Sequence, residues 1–194
     1  MQIRNFVLHH PLVRYIKRQK QEFICMQWLS QWSTHKSSWA LLSFSAFGLL
    51  ITALVMQHVY DLQPCVMCIY QRTAVLGIGI AALLPIMYNH ALLRLIGYIG
   101  WIVGAVWGFM LAQEHVEIIA NSNPFFGFCE IVPNFALPLH EWIPGFFAAT
   151  GMCDDDSWQF LSMGFAEWMR VVFGIYAVLW LMVIGNRLVA QRAF

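Results

Sequence analysis

Cys65 and Cys68, in the run Pro64-Cys65-Val66-Met67-Cys68-Ile69-Tyr70-Gln71-Arg72, have the spacing at which two thiols close a disulfide, bind zinc or exchange electrons with a partner. The run opens an apolar stretch long enough to cross a bilayer, so Cys68 is expected at a helix N-terminus. Free N–H groups and the helix dipole favour a thiolate there. Arg72, four residues on, shares that helix face and keeps its charge at any ordinary pH. Cys68 is therefore the expected low-pKa thiol, and Arg72 its counter-ion or a clamp on an anionic ligand. The plainer reading of Arg72 is a snorkelling anchor at the interface. A Cys₄ zinc site could use Cys129 and Cys153 as its other half, but structural zinc usually shows tight pairs on both sides and these two are separated by a long loop, so no metal is assigned. Covalent haem would need His after the second cysteine, and residue 69 is Ile.

Cys129 and Cys153 form a second candidate pair in a long polar stretch. They are read either as a structural disulfide or as an exchanging one. The flanks Phe126-Gly127-Phe128 and Thr150-Gly151-Met152 are expected to be flexible, which favours exchange. The acids after them (Glu130; Asp154, Asp155, Asp156) do not favour a thiolate, so reactivity would come from exposure and strain. Two dithiol pairs facing one compartment suggest a relay, whereas Cys25 is read as a spare thiol.

Gln57-His58 ends the first apolar run and Gln113-Glu114-His115 ends the third, all at the depth of Cys68. A lone His at a helix end is usually an interfacial polar residue. Two of them beside a cysteine pair and an Arg suit a quinone, which needs an apolar slot for its tail and donors for its carbonyls. A b-type haem held by His58 and His115 is the competing electron carrier.

The elements that must position these residues are membrane spans. The chain is 60% hydrophobic and 11% charged, against about 25% charged residues in a soluble domain. Four apolar windows stand out: Trp39–Met56, Ile69–Met87, Leu95–Ala112 and Met169–Gly185. Each gives about 26–28 Å of helix, slightly short of a span, so thinning or flanking aromatics would complete it. Trp39, Tyr60, Tyr70, Tyr88 and Trp168 stand at the window ends as an aromatic belt. The expected fold is an all-α membrane protein, a four-helix bundle.

Arg4, Arg14, Lys17, Arg18, Lys20, Lys36, Arg94, Arg187 and Arg192 lie on one side and only Arg72 and Arg170 on the other. The positive-inside rule puts both termini in the cytoplasm and Cys65, Cys68, Cys129 and Cys153 outside, where disulfides persist. The N-terminus has no apolar h-region or cleavage site, so the first span is expected to be an uncleaved anchor. The expected organisation is a basic cytoplasmic segment (1–38), a four-helix transmembrane domain (39–186) with outer loops at about 57–69 and 113–168, and a cytoplasmic tail (187–194). Pro124, Pro133, Pro138 and Pro144 interrupt the second loop, and Leu139–Ala149 reads as a short helix lying in the outer interface. Residues Cys25, Trp28, Leu29 and Trp32 fit an amphipathic helix on the inner leaflet, or a basic tail near anionic lipid. A net charge of +1 gives no case for a nucleic-acid partner.

Gln57-His58, Pro64-Cys65-Val66-Met67-Cys68-Ile69-Tyr70-Gln71-Arg72, Glu114-His115, Pro124-Phe125, Cys129, and Cys153 followed by Trp158 together closely resemble the bacterial disulfide bond formation protein B (DsbB) family, from about Trp39 to about Ile184. The resemblance implies a protein-disulfide oxidoreductase of the bacterial inner membrane. It would use ubiquinone or menaquinone to re-oxidise a periplasmic thioredoxin-fold oxidase of the DsbA type. By the same resemblance Cys65 and Cys68 are the quinone-proximal pair, with Cys68 forming the thiolate–quinone adduct or charge-transfer complex. Arg72 holds the quinone with His115 nearby, Cys129 forms the mixed disulfide with the partner, and Cys153 resolves it. Gln71 departs from members that carry an acid there, and the extension before Trp28 exceeds the family's usual N-terminus. The sister DsbI branch shares much of the pattern. The reading from another class is a non-enzymatic membrane protein with two structural disulfides.

Overall fold

The computed structural model describes residues 35–120, 132–153 and 158–192. The N-terminal segment with Cys25, the stretch holding Cys129, and Asp154, Asp155 and Asp156 lie outside the described residues. Four long helices dominate: α1 (Lys36–Val59), α2 (Val66–Met87), α3 (Ala91–Ala120) and, last in the chain, α6 (Phe165–Arg192). All four are long and apolar enough to cross a membrane. Their outward faces carry residues such as Phe44, Ile51, Val103, Met110, Ile175 and Leu181, all exposed and all suited to lipid. The expected all-α four-helix architecture is therefore the observed one.

The helices outrun the apolar windows. They contain 24, 22, 30 and 28 residues, so each exceeds the about 30 Å of a hydrocarbon core at about 1.5 Å per residue. The expected shortfall does not occur. Hydropathy falls at the first polar residues, but backbone hydrogen bonding continues through them. Gln113, Glu114 and His115 thus belong to the last turns of α3 and not to a loop opening at 113.

Local signals set the helix boundaries. Cys65 caps α2: its Sγ accepts the backbone N–H of Cys68 at 3.3 Å, as a Ser or Asp oxygen would. Residues 88–90 join α2 to α3, and His90 Nδ1 accepts from Leu92 N–H at 3.3 Å to start α3. Gly164 N–H donates to Glu167 Oε2 at 3.0 Å at the start of α6, the back-reaching half of a capping box.

Packing runs α1–α2, α2–α3 and α3–α6. The α2–α3 seam is close because α3 presents small residues to it: a Cβ on Gly100 would meet Ala81 Cβ at 2.6 Å, and one on Gly104 would meet Ile78 Cγ1 at 2.6 Å. Gly108 leaves room for the fully buried Phe173 ring of α6. The Ser45 and Tyr176 hydroxyls bridge α1 and α6 at 3.0 Å.

The second loop holds two single turns, α4 (Leu139–Trp142) and α5 (Pro144–Phe147), in place of one continuous helix. Pro144 has no N–H to continue α4 and instead opens α5. Aromatic contacts Phe146–Phe147, Phe147–Phe135 and Phe135–Tyr70 tie this segment to α2, and Tyr70 Oη accepts from Asn134 N–H at 2.7 Å. A hairpin, β1 (Gln159–Phe160) paired antiparallel with β2 (Met163–Gly164), precedes α6. Leu161 and Ser162 make its turn, both with positive φ, as a type I′ turn requires.

Candidate functional site: a dithiol, an imidazole and a guanidinium at the mouth of the bundle

The beginning of α2 brings the chemistry together. Cys65 Sγ lies 2.9 Å from Cys68 Sγ, both as free thiols. Cys65 is almost wholly buried, and Cys68 is partly exposed. The Cys65 thiol is held well above the ordinary thiol range, first by its hydrogen bond to Cys68 and then by burial. It is the proton-bearing partner of the pair.

His115, on the last turns of α3, packs its imidazole against this pair. Its Nε2 is 3.6 Å from Cys65 Sγ, and its Nδ1 is 3.4 Å from Gln71 Nε2. Both His115 and Gln71 are buried. Arg72 is buried too. Its Nη1 donates to Gln57 Oε1 at 2.6 Å and its Nη2 to Ala53 O at 3.4 Å, both on α1. Arg72 Nε is buried with no partner among the described residues. Burying a guanidinium with one donor unused is costly unless a ligand supplies the acceptor.

Cys65, Cys68, Arg72 and His115 line one cavity of about 80 Å³, with Met56, Met152 and Trp158. A second, apolar slot of about 190 Å³ shares Cys68, Arg72, Ala53 and Met56 with it and extends between α1 and α6 past Leu49, Leu50, Met169 and Val172. A partly polar cavity thus adjoins an apolar one across Cys68 and Arg72.

The structure brings Cys65, Cys68, Arg72, His115 and Gln57 into one cluster. His58 is exposed on the last turn of α1 and lines neither cavity. Cys153 is buried and disulfide-bonded, and Cys129 lies outside the described residues.

The flank of Cys153 is docked, contrary to the expected flexibility. Thr150 and Gly151 donate their N–H groups to Pro64 O at 2.9 and 3.0 Å, and the Thr150 hydroxyl donates to Gln63 Oε1. Gly151 is needed for contact and not for freedom, because a Cβ there would collide with the Gln63 carbonyl. Sequence reasoning missed this clamp and the Gln71–His115 contact. Gln71 carried one available signal: it sits three residues after Cys68, beside Arg72.

The fold and site define a polytopic membrane protein with a dithiol beside an apolar slot. Comparison with known proteins narrows the class. Residues 35–183 match the family model "Disulfide bond formation protein DsbB". The chain is 46% identical over 170 residues to disulfide bond formation protein B of Pseudoalteromonas atlantica, covering 87% of this chain and 99% of that one. It is 48% identical over 162 residues to the protein of that name from Shewanella frigidimarina, covering 82% and 95%. The chain belongs to the DsbB family and is a multi-pass membrane protein of disulfide bond formation.

Proposed function

We propose that this protein is a quinone-dependent oxidase that re-oxidises a DsbA-like periplasmic dithiol protein. The observation that carries the reading is that the dithiol–Arg72–His115 cavity shares Cys68 and Arg72 as walls with the apolar slot between α1 and α6. The unused Arg72 Nε and the adjoining slot fit a polar-headed, apolar-tailed ligand. Arg72 and His115 would hold the head and Leu49, Leu50, Met169 and Val172 the tail, with Gln57 fixing the guanidinium. When bound, a quinone supplies a sink for two electrons and two protons.

The remaining steps belong to the chain. The partner's thiolate attacks Cys129 in a Cys129–Cys153 disulfide, forming a mixed disulfide and releasing the Cys153 thiolate. The partner's second thiolate displaces Cys129, leaving the partner oxidised and the outer pair a dithiol. That dithiol reduces the Cys65–Cys68 disulfide by the same two exchanges. The resulting pair, two thiols 2.9 Å apart, returns to the disulfide by losing two electrons and two protons. His115 Nε2 stands at Cys65 Sγ and takes the proton from that thiol in the tautomer that carries hydrogen on Nδ1, with the Gln71 amide turned to present Oε1 to it. A DsbA-like partner has a potential near about −120 mV, so its re-oxidation needs a stronger acceptor than a second thiol pair alone. The apolar walls keep the slot's ligand in the membrane phase.

The test is quinone reduction by purified protein with a reduced DsbA-like protein as electron donor. Turnover is expected in the wild type and none in Cys68→Ser, where Cys129 still traps the partner. Full turnover without Cys129 and Cys153 would reduce that pair to a structural staple.

A further inference from the structure

Cys65 Sγ, Cys68 Sγ and a ring nitrogen of His115 lie within 4.8 Å of one another. Tetrahedral zinc, with Zn–S about 2.3 Å and Zn–N about 2.05 Å, sets ligand atoms about 3.75 Å apart for two sulfurs and about 3.55 Å for sulfur and nitrogen. Cys65 Sγ is 3.6 Å from His115 Nε2 and 2.9 Å from Cys68 Sγ, and Cys68 Sγ lies within 4.8 Å of a His115 ring nitrogen. To meet that zinc geometry the sulfurs must part by about 0.9 Å, with Cys68 Sγ settling at about 3.55 Å from the ring nitrogen. Cys68, the partly exposed member, has room to swing toward the cavity.

From this juxtaposition we propose that the dithiol form binds one thiophilic divalent cation, with Cys65, Cys68 and His115 as ligands. Binding displaces the two thiol protons and changes no oxidation state. Two thiolates cancel the cation's charge, so the neutral complex meets no like-charge penalty from Arg72.

Gln71 supplies the outer support. A metal-bound imidazole fixes its tautomer by donating its other N–H to an acceptor. Gln71's amide already sits 3.4 Å from His115 Nδ1, and its Oε1 is buried with no partner among the described residues. Turning the amide, whose two ends are nearly the same shape, lets Gln71 Oε1 accept from His115 Nδ1–H and leaves the lone pair of His115 Nε2 facing the sulfurs. Among the described residues the cluster has no fourth protein ligand, so the fourth position is left for water.

Sulfurs held by a cation cannot close on one another, so the bound metal would arrest the dithiol. That consequence rests on the oxidase reading; the binding itself does not.

The experiment therefore contains no quinone. Full-length protein in detergent, with Cys25, Cys129 and Cys153 replaced by Ser, is reduced anaerobically with a phosphine. It is then titrated with Zn²⁺ against a chromophoric chelator, and with Co²⁺ as a spectroscopic probe. One equivalent is expected, with the visible bands of tetrahedral cobalt and sulfur-to-metal charge transfer. Binding disappears after diamide closes the Cys65–Cys68 disulfide, and also in Cys68→Ser. His115→Ala is expected to weaken binding by at least the roughly ten- to hundredfold seen on removing a mere outer partner. His115→Cys, which restores a soft donor, should recover it, and helical circular dichroism checks that each variant is folded. Equal binding by the disulfide form, or affinity and spectrum unchanged in folded His115→Ala, overturns the proposal.

Discussion

Gly151 lies with its backbone against the carbonyl of Gln63, and its N–H donates to Pro64 O, one residue before Cys65. The segment that carries Cys153 is thereby fastened to the segment that carries the reactive pair. A side chain at 151 forces the two backbones apart. Gly151→Ala is expected to slow electron transfer from partner to quinone, while quinone reduction driven by a small dithiol acting on Cys65–Cys68 stays near wild type. Stopped-flow comparison of the two donors reads the difference. Equal rates with both donors would show that the contact is only structural.

Arg72 and Gln57 make the other decisive pair, at 2.6 Å. If Arg72 Nε and the guanidinium face bind the quinone head, Arg72→Met should weaken apparent quinone affinity by about 1.5–3 kcal/mol, roughly ten- to 150-fold, the usual scale for a charge-assisted hydrogen bond. Arg72→Lys should recover part of this, since a point charge replaces a planar fork. Gln57→Ala should cost less, because it only loosens the guanidinium. Steady-state rates across a quinone titration check all three. An unchanged Michaelis constant in Arg72→Met would return the residue to a snorkelling anchor.

Cys65 should be chemically silent near neutral pH. Its thiol donates to Cys68 and is buried, and both effects hold it protonated far into the alkaline range. The thiolate is the species that alkylates. In fully reduced protein at about pH 8, iodoacetamide should modify Cys68 first and leave Cys65 intact. Cys68→Ala removes the larger cause and leaves burial, so Cys65 should then react at lower pH than in wild type. Mass spectrometry of a pH series gives both results; preferential labelling of Cys65 in wild type would invert the assignment of the pair.

Charge placement also makes a topological prediction. By the positive-inside rule the end that carries Arg187 and Arg192 is expected inside. A reporter fused after Phe194 should be active only as its cytoplasmic type. Periplasmic activity would reverse the compartment of all four paired cysteines and remove the basis of the relay.

The residues alone determined the four spans, the Cys-x-x-Cys at the start of the second, and Arg72 one turn later. Each rests on local physics: unbroken apolar length, a Pro-Cys boundary, and the helix repeat. The contrast between the two expected pocket residues His58 and His115 was only half legible. On α1 the inward face runs through Ala46, Leu50 and Ala53, and the next inward step is Gln57, so His58 is turned about 100° away. On α3 it runs through Gly104, Gly108 and Ala112, and the next step is His115. The helix repeat thus separates the two histidines, but hydropathy windows that end at the first polar residue conceal it. Tertiary structure alone decided that His115 meets Cys65 and Gln71, that Arg72 reaches across to Gln57, and that Gly151 rests on Gln63. Those contacts join residues 15 to 50 positions apart within the bundle, and the Thr150–Gln63 contact spans 87. No local preference encodes such meetings. They arise when small residues on α3 let the helices close to contact and carry their polar ends to the same depth.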